Sequence, residues 1–169
     1  MPSNKDRLYV ALYARGGQAR MPGKEDTYHW AFIIGPKVEP QGGTGVRYHA
    51  KERPTLGGGS ERYFEQLECT LAQTSMLLVR VVIAKVMDRS RVADIFRSTP
   101  IRQGQPGWNC VSGDSRALGT NVTDWAKVRN QAMAYCQQKK DQHRFDGRGN
   151  FDMGKVPTFD LMEMKEIVV

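Results

Sequence analysis

The sequence predicts an α+β fold, an antiparallel β-sheet packed by helices, and three observations carry that reading. Runs rich in Val, Ile, Leu and aromatic residues recur through the first half of the chain, each bounded by glycine or proline. The connection between the second and third runs is short, which suits antiparallel neighbours and leaves no room for a parallel crossover. Two later segments place apolar residues at helical spacing behind residues that cap helices.

Leu8 to Tyr13 is apolar on both faces, as expected of a strand inside a sheet. A loop through Gly16-Gly17 and Pro22-Gly23 leads to a second strand, about Thr27 to Ile34, which stops at Gly35-Pro36. Gln41 to Gly45 connects it to a third, about Val46 to Lys51. Pro54 and Gly57-Gly58-Gly59 mark another loop, and the weakly patterned stretch from Ser60 to Leu71 reads as a short helix or irregular segment. Met76 to Met87 has the strongest strand composition.

Asp88 or Ser90 caps a helix with Val92, Ile95 and Phe96 on one side, ended by Pro100. A short helix is expected from Cys110 to about Leu118, with Gly119 as its stop. Thr123 or Asn121 then caps a longer helix, about Asp124 to Lys140, with Trp125, Val128, Ala132 and Tyr135 or Cys136 on its apolar side. Residues 141–157 form a long polar loop, and Phe159 to Val169 returns as a strand. We read one domain spanning residues 1–169, large enough to bury a core.

The chain has 169 residues, 25 Lys or Arg, 18 Asp or Glu and a formal net charge of +7. Its basic residues are scattered and mixed with acids, as in Lys24-Glu25-Asp26 and Lys51-Glu52-Arg53, so the charge reads as a solvated surface. Nucleic-acid binding is the lesser alternative. No apolar run approaches the roughly 20 residues of a membrane span, and no signal peptide is legible, so a cytoplasmic protein is expected. Three cysteines without a Cys-x-x-Cys spacing suit that compartment and give no disulfide framework.

Side-chain alternation puts two histidines on matching faces. In the second strand Tyr28, Trp30, Phe32 and Ile34 share one bulky face, and His29 shares the other with Thr27, Ala31 and Ile33. In the third, Arg47, His49 and Lys51 lie opposite Val46, Tyr48 and Ala50. Both histidines can therefore face one groove.

Farther on comes Gly107-Trp108-Asn109-Cys110. Asn109 can cap a helix that begins at Cys110, and the free N–H groups there would lower the thiol pKa and bind a developing oxyanion. Cys110 as nucleophile, His29 as general base and His49 as the residue that orients it make a triad. Trp30 and Trp108 are candidates for the substrate pocket. Cys69 and Cys136 are expected to be inert. No cofactor is expected; zinc on His29, His49 and Cys110 would need ligands from three distant segments, and no metal is assigned.

At these residues the chain resembles the permuted papain-like fold, which includes NlpC-type peptidases and lecithin:retinol acyltransferase-like enzymes. In the latter a His-Trp-Ala strand supplies the base, a second strand another His, and an Asn-Cys step opens the nucleophile helix. His29-Trp30-Ala31, His49 and Asn109-Cys110 follow that order. The resemblance implies a cysteine-dependent hydrolase or acyltransferase that works through a thioacyl-enzyme on an amide, ester or thioester. Its partner would be a small-molecule or peptide acyl substrate, with no membrane involved. The chain as a whole is also similar to a group of small uncharacterised proteins common in filamentous fungi. Val111-Ser112-Gly113-Asp114 departs from the acyltransferase pattern: Gly113 costs a helix interior about 1 kcal/mol relative to Ala, and Asp114 sets a negative charge beside the thiol. That departure motivates the alternative of a catalytically silent interaction module on the same scaffold.

Overall fold

A computed structural model describes residues 4–15, 24, 27–98, 118–122 and 124–169. Among these, eight strands form one mixed sheet and two helices pack on it. The strands are β1 (Arg7–Ala14), β2 (Tyr28–Gly35), β3 (Thr44–Pro54), β4 (Ser60–Thr70) and β5 (Leu77–Val86). Helix α1 (Arg89–Ser98), β6 (Leu118–Asn121), α2 (Trp125–Asp141), β7 (Thr158–Asp160) and β8 (Lys165–Val168) follow. The sheet order is β4-β3-β2-β1-β5-β7-β8, with β6 also paired to β5. Every pairing is antiparallel except β5 with β7, so the sheet is mixed where a purely antiparallel one was expected.

Three further expectations change. Ser60 to Thr70 is a full strand, paired with β3 from Thr44↔Thr70 to Pro54↔Ser60. The connection 55–59 makes the hairpin possible, because Gly57 and Gly58 adopt φ of 123° and 87°, which side chains oppose. Gly119 lies within β6 and ends no helix. The expected C-terminal strand is a hairpin, broken by Asp160, whose carboxylate accepts from the Met162 and Glu163 N–H groups. The helix expected to start at Cys110 lies outside the described residues up to position 117.

Both helices cover one face of the sheet. Leu8, Val10 and Leu12 of β1, Val79, Val81 and Ile83 of β5, and Ile34 and Tyr48 pack there against Val92 and Phe96 of α1 and Val128, Ala132, Tyr135 and Cys136 of α2. Asp88 caps α1 through the Arg91 N–H, and Asp124 caps α2 by accepting from the Ala126 and Lys127 N–H groups, the role read for Thr123 or Asn121. Lys139, fully buried, pairs with Glu166 at 2.5 Å, and the Tyr135 hydroxyl donates to the same carboxylate, tying α2 to β8.

The opposite face carries a smaller apolar cluster of Tyr9, Ala11, Tyr13, Ala31, Ile33, Leu71, Leu77, Val82 and Val156. Its centre holds buried Arg80, which pairs with Glu39 at 2.6 Å and lies 4.8 Å from the Tyr9 ring centroid. Burial pushes the Tyr9 phenol up to about 12, with the Arg80 charge opposing it.

Candidate functional site

His29 and His49 meet on the face opposite α1 and α2. β1 and β2 stay paired over the length of β2, from Arg7↔Gly35 to Ala14↔Tyr28, whereas β2 and β3 pair only from Phe32↔Tyr48 to Ile34↔Val46. Beyond that point β3 continues with β4 alone. The histidines sit where the β2–β3 ladder ends, and their rings span it: His29 Nε2 lies 2.8 Å from His49 Nδ1. On its other side His49 Nε2 lies 2.7 Å from Glu65 Oε1, contributed by the directly opposed residue of β4. Lys51 Nζ reaches the same carboxylate oxygen at 3.1 Å.

This chain of contacts fixes where the protons are. A carboxylate only accepts, so His49 Nε2 carries the hydrogen and donates it to Glu65. Neutral His49 then has a bare Nδ1, which accepts from His29 Nε2–H. Neutral His29 is left with its lone pair on Nδ1, and no described residue is paired with that atom.

The surroundings keep both rings neutral at pH 7. Burial is the largest cause that pulls His29 down to about 4, followed by the positive influence of His49, Arg47, Arg15 and Lys51. Burial also lowers His49, opposed by its bond to Glu65. That bond, helped by Lys51, holds the Glu65 carboxyl below the usual range. His49 is buried and His29 half-buried. Tyr13, the cross-strand partner of His29, places its ring 6.1 Å from the imidazole, and Arg47 lies 5.2 Å from the Tyr13 ring centroid.

The two nitrogens are too close for a shared metal ion: ligands on tetrahedral zinc stand about 3.4 Å apart at bond lengths near 2.1 Å. Among the described residues no cluster of His, Cys, Asp and Glu side chains could hold one. A shallow hollow of about 320 Å³ lined by Phe151, Lys155 and Val168 lies along β8, at the far edge of the sheet from β3 and β4.

The remaining site candidates fare differently. Trp30 faces the helices and packs against Trp125 with ring centroids 5.4 Å apart, so it does not line the His29 groove. Strand alternation alone demands this, because His29 and Trp30 are adjacent. Trp108, Asn109 and Cys110 lie outside the described residues. Cys136 is buried under α2 and Cys69 half-buried on β4, and burial raises both thiols.

The chain belongs to the family DUF6914. Its model, described as a family of unknown function, matches residues 5–168. No curated protein and no solved structure shows significant similarity to the chain.

Glu65 is the residue that sequence reading missed. Its signal was present: two runs of similar length flank a glycine-rich connection short enough for a hairpin, and Tyr63, Phe64 and Leu67 favour a strand. Pairing β3 with such a strand would have put a carboxylate opposite His49.

Proposed function

We propose that this protein is a cysteine-dependent hydrolase or acyltransferase built on a permuted papain-like scaffold. Cys110 is its nucleophile, His29 its general base, and His49 with Glu65 the positioning pair. The observation that carries the reading is the relay Glu65–His49–His29, which leaves a single imidazole nitrogen unpaired among the described residues, on the face of the sheet opposite α1 and α2. A structural histidine needs only one partner, whereas a base needs a fixed tautomer with a free lone pair.

His29 Nδ1 takes the proton of the Cys110 thiol, and the sulfur attacks the carbonyl carbon of the substrate. The C–S bond forms as the bond to the leaving group breaks, and the imidazolium gives its proton to that group. Water or an amine then attacks the thioester, His29 takes its proton, and the C–S bond breaks. While His29 is doubly protonated, its Nε2 hydrogen can shift to His49 Nδ1. The charge then rests on a ring bonded to Glu65, which is better placed to stabilise it. A thiolate beside His29 raises the pKa that burial has lowered, so base and nucleophile support each other.

A second reading is favoured by the position of the histidine bond at the end of the β2–β3 ladder, where it also serves as a cross-strand clamp. On that reading the protein is a catalytically silent interaction module. Alkylation of Cys110 by iodoacetamide across pH separates the two. The enzyme reading expects an apparent thiol pKa well below about 8.5, and a rate near pH 7 at least about tenfold lower in His29→Ala. A profile matching that of a small-molecule thiol, unchanged in His29→Ala, leaves the silent module.

A further inference from the structure

We infer that the acyl donor carries an oxyanion group, a carboxylate or a phosphate, and that Arg47 binds it beside His29. The inference rests on the enzyme reading above and assigns its substrate class.

The argument starts from one row of β3. Arg47, His49 and Lys51 alternate onto the face opposite α1 and α2, so a cation flanks the relay histidine on each side along the strand. The two cations are not alike. Lys51 is paired with Glu65 at 3.1 Å. Arg47 lies half-buried against the Tyr13 ring, and among the described residues it is paired with no carboxylate. The Tyr13 hydroxyl is hydrogen-bonded to the Arg47 side chain, whose Nε is buried with no hydrogen-bond partner among the described residues.

The same face shows how this fold treats a guanidinium that serves structure alone. Arg80 on β5, three strands from β3 with β2 and β1 between, is buried and neutralised by Glu39 at 2.6 Å, with Thr158 accepting from its Nη2 at 3.2 Å. Withdrawing a cation from water without an anion is unfavourable. Arg47 is in that position, next to the relay.

The rest of the neighbourhood points the same way. Tyr13 connects Arg47 to His29, its ring lying 5.2 Å from the guanidinium carbon and 6.1 Å from the imidazole centroid. The charged side chains that lower His29 are basic: Arg47, Arg15 and Lys51. Glu65, the nearby acid, is held on the far side of His49. A carbonyl reaching His29 from an anionic substrate would therefore approach through a positive field, with the Arg47 guanidinium beside it.

Spectra that resolve the Arg47 Nε–H and the His29 ring at pH 6.5 test this without using Cys110. Acetate and phenyl phosphate, each added against sodium chloride of equal ionic strength, are the probes. Saturable shifts of both resonances, with a dissociation constant of about 1 mM or tighter for one probe, are expected; the His29 shift is lost in Arg47→Gln and retained in Arg47→Lys. Response to acetate assigns a carboxylate substrate, response to phenyl phosphate a phosphorylated one. No saturable shift with either, or the same shift in Arg47→Gln, overturns the inference.

A second arm compares iodoacetate with iodoacetamide at Cys110. The ratio of their rates should exceed that of a small thiol by at least about fivefold and collapse in Arg47→Gln and in high salt. An unchanged ratio counts against the anion site. A rate of Cys110 alkylation independent of His29 sinks the enzyme reading instead, and the spectra still decide on Arg47.

Discussion

The two faces of the sheet obey different rules. On the helix face, buried side chains are mainly apolar or aromatic, the buried Lys139–Glu166 pair apart, and Trp30, Phe32, Tyr48 and Phe96 pack together on that side. On the other face, buried Arg80 and His49 and half-buried His29 and Arg47 sit among a thinner apolar cluster. The same strands build both, since neighbouring residues point in opposite directions. One face therefore supplies stability that needs no particular chemistry, and the other holds polar groups at distances short enough to share protons.

The largest expected effect falls on the helix face. Leu12 is completely buried there, and Leu12→Ala removes a side chain whose place the rigid strand cannot fill. A loss of about 3 kcal/mol is expected in denaturant unfolding, while the pH profile of Cys110 alkylation in the folded protein stays as it was. A small loss, or an altered profile, would mean that the faces are not independent.

The difference between the faces also explains how much could be read from the sequence. Strong apolar patterns on β1, β2 and β5, and the stripes of α1 and α2, declare themselves because burial selects residue type. The helix-packed α+β arrangement and the shared face of His29 and His49 followed from those patterns and from strand alternation. β4 did not declare itself: it is an edge strand, exposed at Ser60, Gln66, Glu68 and Thr70, so partial burial left little periodic signal. With β4 unread, Glu65 had no place. The parallel pairing of β5 with β7 was equally hidden, because a strand of three residues, Thr158–Asp160, is too short to show a pattern. Asp124 capped α2 in place of its neighbours Asn121 and Thr123, a shift of the kind that residue type alone cannot resolve, since all three can cap.

An intermediate effect belongs to the polar face and depends on pH. The folded state holds His29 at about 4, below its ordinary value of 6.5, so between those values the unfolded chain binds the proton that the folded one refuses. Stability contributed in this way is complete above pH 6.5 and falls as pH drops toward 4. His49 shifts in the same direction, and Glu65, whose carboxyl is lowered, adds a loss on further acidification. Allowing for the partial exposure of His29, about 2 kcal/mol should disappear over that window. Unfolding free energies measured from pH 7 to 4 in wild type and His29→Asn check the sign. The variant should show a flatter slope, and equal slopes would place the acid lability elsewhere.

The smallest effect sharpens the comparison most directly, because it concerns a residue next to the base. Trp30 adjoins His29 in sequence but packs on the helix side, its ring tilted 59° against Trp125. Trp30→Leu removes one aromatic pair and keeps an apolar side chain, so a cost of about 1 kcal/mol is expected. The peptide between residues 29 and 30 is held by pairing of β2 with β1, at Tyr13↔His29 and Leu12↔Trp30, and that pairing does not depend on the indole. The His29 ring resonances and the pH profile of Cys110 alkylation should therefore be unaltered. If Trp30→Leu displaced either one while unfolding remained cooperative, the indole would be acting through the sheet on the relay, and the division of labour between the faces would fail at its closest point.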